Sequence, residues 1–295
     1  MTGRRLYLGP LTDNRRWDAV EIRPDDVIVV TPPKCGTTWM QTIVALLLSG
    51  DPGVETELSV KMPWVDIRLR DIDELAARLE AMDHRRSMKS HTPMDGVPLD
   101  GQAQYFCVFR HPLDAHFSFR NHVRNTPLRW FDHWYPEDDA EGVAFRRFLD
   151  GGPEGFDTDA MPLAHILRHY EAARAVADRA NVTLFHFADM RRDLAGTFET
   201  VAALLGVAHP ADVMARLVEA ARFDNMKTEA ERFCPSGGKG FFRSDAAFFE
   251  SGSSGKWEGR LTQAELAAYD AVMDAALSPG ARAWLEFGDE GAVGG

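Results

Sequence analysis

Short apolar runs alternate with longer stretches of helical periodicity along this chain. Residues 26–30 and 104–109 are rich in β-branched and aromatic side chains, a composition typical of buried strands. Residues 41–48, 73–82 and 165–174 carry apolar side chains at helical spacing. Because strands that alternate with helices pair in parallel, this pattern predicts an α/β fold with a central parallel sheet.

A loop with anion-binding chemistry follows the first predicted strand. It carries Lys34 and Gly36, and Thr37 and Thr38 then open an apolar helix. The N–H groups at a helix start carry partial positive charge, a glycine lets the backbone approach an anion, and Lys34 adds a point charge. The sequence therefore predicts a phosphate or sulfate ester site. It is not the nucleoside-triphosphate loop, because the lysine precedes the glycine and the first glycine is absent.

A second set of polar residues follows the strand at 104–109. Arg110 lies at the end of that strand, and Ser118 lies within the predicted helix that comes next. A guanidinium binds phosphate in a bidentate manner that a lysine cannot copy. Arg110 also stands where a kinase would carry the Asp that holds Mg²⁺, which argues against a kinase.

Three motifs together resemble those of the cytosolic sulfotransferases. Residues 33–39, Pro-Lys-x-Gly-Thr-Thr-Trp, are similar to the 5′-phosphosulfate loop of that family, and residues 89–93 match its Lys-x-His-x-Pro segment. The match to its 3′-phosphate motif covers Arg110, Pro112, Asp114 and Ser118. The resemblance spans about residues 27–257 and implies a P-loop-like, three-layer sandwich. With no linker between the motifs, we expect one domain over residues 1–295.

The resemblance also implies a reaction. The chain would transfer a sulfuryl group from 3′-phosphoadenosine-5′-phosphosulfate (PAPS) to a hydroxyl or amine, and release 3′-phosphoadenosine 5′-phosphate (PAP). His91 would be the general base, since imidazole titrates near neutrality. Lys34 would stabilise the leaving oxygen and Lys89 would assist at the sulfuryl group. Ser118 completes the expected catalytic set and would hold the 3′-phosphate with Arg110.

The donor site implied by the resemblance extends along the chain. Trp39 is expected to stack on the purine, Phe223 and Met226 to pack against adenine, and Phe187 to replace a tyrosine. Cys35 lies at a helix start, where thiol pKa values tend to fall, and is expected to contribute its backbone. The expected donor-binding residues are Lys34, Cys35, Gly36, Thr37, Thr38, Trp39, Arg110, Ser118, Phe187, Phe223, Met226, Ser251 and Gly252.

The C-terminal motif matches the family only in part. Where the family carries Arg-Lys-Gly-x-x-Gly-x-Trp, this chain has Glu250 and Ser251 in place of the two basic residues and keeps Gly252, Gly255 and Trp257. Because a charge-assisted hydrogen bond contributes ~1.5–3 kcal/mol, donor affinity is expected to fall unless another cation substitutes.

The glycine-rich stretch before Trp257 contains candidates for a replacement cation. Residues 235–255 are predicted to form a long loop from their glycine content. Lys239 and Arg243 are the nearest candidates within it.

The acceptor pocket is expected to be apolar. Its candidate residues, by position between the donor motifs, are Pro63, Trp64, Phe119, Trp130 and Phe131. A phenol, a steroid-like alcohol, an amine and a lipid all remain open as acceptors.

The other histidines are expected to be structural or exposed. His111, His116, His122, His133 and His209 belong to this group. His165 and His169 lie four residues apart on a predicted helix, a spacing that can bind a metal. No third ligand accompanies them in the sequence, so a solvated helix face is the expectation, and no metal is expected in the site.

Composition narrows the partners and the compartment. A net charge of −12 disfavours nucleic acid as a partner. The 3 cysteines are odd in number and unrelated in spacing, which favours a reducing cytoplasm. No apolar stretch reaches membrane-spanning length, so no membrane partner is expected. Two other classes stay open, a small-molecule kinase that uses Mg²⁺ and ATP, and a non-catalytic nucleotide-binding protein.

The dimer seam of the family is altered in this chain. The family pattern Lys-x-x-x-Thr-Val-x-x-x-Glu follows the Gly-x-x-Gly-x-Trp motif. Here its positions carry Glu258, Thr262, Gln263 and Ala267. A two-fold interface needs self-complementary pairing, so we expect a monomer, or a dimer through a different surface.

Overall fold

Four parallel strands form the centre of the fold. They are β1 (Val27–Val30), β2 (Ser87–Ser90), β3 (Gln104–Phe109) and β4 (Val182–His186), in the sheet order β2-β1-β3-β4. All three neighbouring pairs are parallel. The computed structural model describes residues 3–54, 58–126, 141–151, 159–234, 242–249 and 252–293. The predicted central parallel sheet is confirmed.

Helices lie before, between and after these strands in the described residues. Two 3-10 helices span Asn14–Ala19 and Met94–Gly96. The α-helices are α1 (Thr37–Ser49), α2 (Leu58–Lys61), α3 (Ile72–Glu80), α4 (Pro112–Asn125), α5 (Glu141–Asp150), α6 (Leu163–Arg174), α7 (Phe187–Arg192), α8 (Leu194–Leu205), α9 (Ala211–Ala220), α10 (Phe223–Thr228), α11 (Ala230–Phe233), α12 (Asp245–Phe249), α13 (Gln263–Ala276), α14 (Pro279–Phe287) and α15 (Asp289–Val293). None of the helices that the structure describes is long and apolar enough to cross a membrane.

Each face of the sheet buries its own apolar cluster. Val27 and Val29 of β1 pack with side chains of α1 and α8, whereas Ile28 and Val30 pack with side chains of α4 and α6. This division follows from the two-residue alternation of a strand. Helices therefore cover both faces of the sheet, and the expected three-layer sandwich is confirmed.

One predicted segment differs from the observed elements. β4 ends at His186, because the His186 side chain accepts the Ala188 N–H at 3.2 Å and caps α7. The stretch 235–255 is not one long loop, since it contains α12. Phe242 and Phe249 anchor that part of the chain, because both are buried in the apolar cluster on the α1 side of the sheet.

A buried ion pair joins the amino ends of β1 and β2. Arg86 precedes β2, and its Nη2 lies 2.5 Å from Oδ2 of Asp26, which precedes β1. A second contact, from Nε to Oδ1, measures 2.8 Å. Both side chains are at most 1% exposed. Each charge has lost its water, so each depends on the other for compensation.

Replacing Arg86 with Met should destabilise the fold strongly. The change leaves the Asp26 carboxylate buried without its cation, so we expect a loss of about 3–5 kcal/mol in the free energy of unfolding. Urea denaturation measures this loss. The control is Arg216→Met, which breaks an exposed pair with Asp212 and should cost less than about 1 kcal/mol. Losses of equal size would show that the buried pair is not needed.

Candidate functional site

A cavity of about 610 Å³ lies where the carboxyl ends of the strands meet. Lys34 follows β1, His91 follows β2 and Arg110 follows β3, and all three line it. Parallel strands direct their carboxyl ends to the same edge, which is where open α/β sheets bind ligands. The topology therefore gathers polar residues that are distant in sequence.

The loop between β1 and α1 has the backbone of an anion site. Lys34 has φ of 64°, and Gly36, the residue before α1, has φ of 117° with no side chain capping the helix. In a loop with such left-handed residues, successive backbone N–H groups can point into one concavity that binds an anion. A Cβ on Gly36 would meet Val108 at 3.2 Å and Phe187 at 3.3 Å in a conformation that strains any L residue. Glycine is therefore required here, and Lys34, Gly36, Thr37 and Thr38 all line the cavity.

Cys35 faces away from this cavity. Its side chain is fully buried in the apolar cluster on the α4 side of the sheet. Burial raises the pKa of the Cys35 thiol to about 12, and the nearby Arg110 only partly opposes this shift. The fall in thiol pKa expected from the helix start is therefore wrong, because desolvation dominates. Any contribution of Cys35 to the loop comes from its backbone.

Arg110 joins three segments of the site. Its Nη1 donates to the Lys34 carbonyl at 3.3 Å, and its Nη2 donates to the Ser253 carbonyl at 2.6 Å. The guanidinium carbon lies 4.5 Å from the centre of the Phe187 ring. Ser118, on α4, also lines the cavity. Arg110 thus connects the anion loop between β1 and α1, the C-terminal loop (residues 252–256) and the start of α7.

Asp114 anchors the C-terminal loop from the other side. Its two carboxylate oxygens accept the N–H groups of Gly255 at 3.0 Å and Lys256 at 2.7 Å. Burial raises the pKa of Asp114, while Arg110 and the two N–H bonds act in the opposite direction. This anchor brings Lys256 to the cavity wall.

The sequence did not single out Lys256. Its only signal was its position between the retained Gly255 and Trp257. The candidate Arg243 is exposed and does not line the cavity, because that segment is tied to α4 by an Arg243 N–H bond to the Asn125 carbonyl at 2.8 Å. Lys239, Glu250 and Ser251 lie outside the described residues.

Aromatic side chains form one end of the cavity. Trp39 packs edge-on against Phe187 with ring centres 5.3 Å apart, and its Nε1 donates to the Ala221 carbonyl at 2.8 Å. Phe223 and Met226 also line this end. Gly252 presses against Phe223 so closely that a Cβ would come within 2.5 Å of the ring. The residues expected to contact adenine are therefore together, and stacking on the purine stays a prediction.

His91 has one ring nitrogen fixed by the backbone. Its Nδ1 lies 2.8 Å from the Thr31 carbonyl, which only accepts, so Nδ1 carries the proton and Nε2 is the basic atom. The ring packs edge-on against Trp64 with centres 4.7 Å apart. Burial, followed by the charge of Lys89, lowers the pKa of His91 to about 3. The imidazole is thus neutral at physiological pH.

Lys89 lies beside His91 along the same cavity wall. Its Nζ is 5.1 Å from the centre of the Trp64 ring, and burial lowers its pKa to about 8. Its N–H donates to the Pro63 carbonyl at 3.0 Å and its carbonyl accepts the Val65 N–H at 3.2 Å. Pro63 is thus a main-chain partner of β2 and does not itself line the cavity, whereas Trp64 does.

His165 and His169 are buried, so the expected solvated helix face is wrong. They are 0% and 2% exposed, and their rings meet edge-on with centres 4.7 Å apart. The Nε2 of His169 donates to the His91 carbonyl at 2.9 Å. This face of α6 therefore holds the segment that carries His91. Among the described residues no group of three or more His, Cys, Asp or Glu side chains could hold a metal ion.

The other half of the cavity is mainly apolar. Phe119 and Trp64, both expected here, line it together with residues of α2 and α12. His122 also lines it, and its Nδ1 is buried with no hydrogen-bond partner among the described residues. His122 is therefore part of the site and not a remote structural histidine. Its position one turn after Ser118 on α4 was the available signal. Trp130 and Phe131 lie outside the described residues.

The chain is similar to known proteins along most of its length. A family model described as a sulfotransferase domain matches residues 24–280. A glycolipid sulfotransferase of Mycobacterium bovis is 33% identical over 99% of this chain and 97% of its own length. An amine sulfotransferase of Oryctolagus cuniculus is 26% identical over 87% of this chain and 82% of its own length.

Solved structures agree on the fold. A mouse sulfotransferase complexed with PAP superimposes with a TM-score of 0.74 and 19% identity, covering 93% of each chain. A retinol dehydratase in complex with androsterone and PAP gives a TM-score of 0.70 and 18% identity, over 94% of this chain and 87% of its own.

The chain belongs to the sulfotransferase family. The family model covers most of its length, and the mycobacterial relative matches nearly all of it. The predicted class, an enzyme that transfers a sulfuryl group from PAPS, is confirmed, and the kinase and binding-protein alternatives are not favoured.

Replacing Arg110 with Ala should weaken PAP much more than adenosine 5′-phosphate, which lacks the 3′-phosphate. Loss of the charge-assisted contacts should cost about 1.5–3 kcal/mol or more for PAP. Isothermal titration calorimetry of both nucleotides measures the difference. Equal losses for the two would remove Arg110 from the 3′-phosphate site. The control Arg243→Ala, which changes an exposed cation outside the cavity, should leave both affinities unchanged.

Proposed function

We propose that this sulfotransferase acts on the hydroxyl of a small, largely apolar acceptor and uses His91 as its general base. The observation that carries the proposal is the fixed tautomer of His91, whose Nδ1–H is bound to the Thr31 carbonyl. The remaining basic nitrogen, Nε2, belongs to a ring that lines the same cavity as the anion loop and the apolar side chains of α2 and α12. A general base must lie where it can reach the acceptor proton, and its basic atom must be unprotonated.

The chemistry needs one proton acceptor and a stabiliser of negative charge. Nε2 of His91 takes the acceptor proton while the acceptor oxygen forms a bond to sulfur. The bond from sulfur to the bridging oxygen of the donor breaks, and negative charge develops on that oxygen. Lys34 and the N–H groups at the start of α1 offset this charge. Lys89 supplies a second cation near the transferring group, and Ser118 acts with Arg110 at the 3′-phosphate.

The acceptor is proposed to be an apolar or amphiphilic alcohol. Apolar side chains dominate the half of the cavity beyond His91, and they include Met62, Trp64, Phe119 and Phe248. The mycobacterial relative is described as a glycolipid sulfotransferase, which supports a lipid-like alcohol within this class. A phenol or a steroid-like alcohol would also suit these apolar side chains. An acceptor panel should therefore contain a lipid-like alcohol, a phenol and a steroid-like alcohol.

A cytoplasmic location is part of the proposal. Cys35, Cys107 and Cys234 are buried free thiols. Thiols persist where glutathione and thioredoxin keep cysteines reduced. That the transfer from PAPS needs no metal ion also remains a proposal for this chain.

Replacing His91 with Ala should reduce turnover by about 10²–10⁴-fold, the usual cost of losing a general base. PAP affinity should stay within about twofold, because the general base acts on the acceptor hydroxyl and not on the nucleotide phosphates. Turnover is measured with labelled PAPS and an acceptor panel, and affinity by calorimetry. The matched control is His84→Ala, an exposed histidine outside the cavity. Near-normal turnover of the His91→Ala protein would reject the base assignment.

The pH profile should lack an acid limb near neutrality. The pKa of His91 is lowered to about 3, so its neutral, basic form is present at every higher pH. The pKa of Lys89 is lowered to about 8, so its charge is lost as pH rises through that value. We therefore expect kcat/KM for the donor to be flat from about pH 5 to 7 and to fall above about pH 8. The Lys89→Met protein should lose the alkaline fall, and an acid limb near pH 6.5 would contradict this account.

A further inference from the structure

One histidine of the cavity wall has no role in the reaction described so far. The cavity-lining residues of α4 and its C-terminal cap are Ser118, Phe119, His122 and Thr126. Ser118, His122 and Thr126 are spaced by four residues, so they lie on one side of the helix, and that side faces the cavity. His122 therefore reaches the cavity from α4, whereas His91 reaches it from the end of β2.

Aromatic rings surround the His122 imidazole. The ring centres of Phe242, Phe248 and Phe119 lie 5.3, 5.7 and 6.3 Å from the centre of the imidazole. All three aromatic side chains also line the cavity. The Phe248 ring has a second polar neighbour, since the Nζ of Lys34 lies 4.0 Å from its centre. His122 is thus a polar group within an aromatic part of the wall, and it contacts the same ring as Lys34.

Neither ring nitrogen of His122 has a hydrogen-bond partner among the residues that the structure describes. Nδ1 is buried without a partner, whereas Nε2 is not buried and belongs to a ring that lines the cavity. A polar atom without a partner in apolar surroundings costs free energy, and a ligand group that bonds the ring recovers part of that cost. Nε2 is therefore a hydrogen-bonding position within an otherwise aromatic surface.

The His122 imidazole can bond either kind of polar atom. Burial lowers its pKa well below the usual value, and the charges of Lys34 and Lys89 act in the same direction, so the ring is neutral. A neutral imidazole has one donor and one acceptor nitrogen. The Thr31 carbonyl fixes the tautomer of His91, but no such bond from a described residue fixes that of His122. A hydroxyl, which both donates and accepts, suits such a ring.

We propose that His122 binds a second hydroxyl of the acceptor, in addition to the hydroxyl that receives the sulfuryl group. This inference rests on the proposed function, in which His91 acts on the reacting hydroxyl of an apolar acceptor. The acceptor class then narrows from apolar alcohols to molecules with a diol or polyol end on an apolar body. A simple alcohol leaves Nε2 without a partner, and a site that bonds a hydroxyl discriminates against the analogue that lacks it.

The test uses two acceptors that share an apolar chain and differ by one hydroxyl, octanol and octane-1,2-diol. His122→Phe removes both ring nitrogens and keeps an aromatic ring, whereas His122→Gln keeps a donor and an acceptor. His84→Phe is the matched control, since His84 is exposed and lies outside the cavity. Turnover with labelled PAPS gives kcat and KM for both alcohols on each protein.

The measured quantity is the ratio of kcat/KM for the diol to kcat/KM for octanol. His122→Phe should lower this ratio about 10-fold, mainly through a higher KM for the diol, because one hydrogen bond to the acceptor is lost. His122→Gln should keep the ratio within about threefold of the unmodified protein, and His84→Phe should not change it.

Three kinetic outcomes would overturn the inference. They are an unchanged ratio in the His122→Phe protein, an equal loss of kcat/KM for both alcohols, and a His122→Gln ratio as low as that of His122→Phe. Thermal unfolding without ligand checks the fold. His122→Phe removes no hydrogen bond between described residues, so the midpoint should not fall. A lowered midpoint with equal loss for both alcohols would assign His122 a structural role.

A binding measurement separates this inference from the proposed function. Calorimetry of both alcohols with the PAP-bound protein measures the preference for the diol without turnover. If the unmodified protein bound the diol and sulfated neither alcohol, the proposed reaction would be wrong, and the binding ratio of the His122→Phe protein would still decide the inference. Absence of any preference for the diol in the unmodified protein would overturn the inference directly.

Discussion

The site depends on the contacts of one buried group, the guanidinium of Arg110. It donates to the carbonyls of Lys34 and Ser253 and packs over Phe187. These three residues belong to the loop after β1, the loop after α12 and the start of α7. The three segments are far apart in the sequence. The parallel sheet makes the meeting possible, because β1, β3 and β4 end at the same edge. A donor phosphate at Arg110 would thus bind a guanidinium that these contacts already hold in position.

His91 illustrates how the fold sets the state of a reactive group. The Thr31 carbonyl fixes one ring nitrogen, Trp64 packs on the ring, and His169 holds the main chain of His91 from α6. Burial and the charge of Lys89 both favour the neutral imidazole. A neutral base next to cations suits this reaction, since the cations assist the departing anion without protonating the base.

The sequence predicted the parts of this molecule that follow from local chemistry. The strand at Gln104–Phe109 and the helix after Gly36 were visible as apolar runs with a defined end. The burial of His165 and the approach of Lys256 to the cavity could not be predicted, because both result from contacts between distant segments. His165 packs beneath the segment carrying His91, and Asp114 draws Lys256 inward from 142 residues away in sequence. Helical spacing and motif matching describe neither contact.

A crystal structure of the protein with PAP bound would test the central claim most directly. The account predicts the 5′-phosphate at the N–H groups of residues 34–38 and the 3′-phosphate within hydrogen-bond distance of Arg110 and Ser118. The adenine should lie among Trp39, Phe223 and Met226. An ordered PAP molecule with its 3′-phosphate away from Arg110, or bound outside this cavity, would contradict the account.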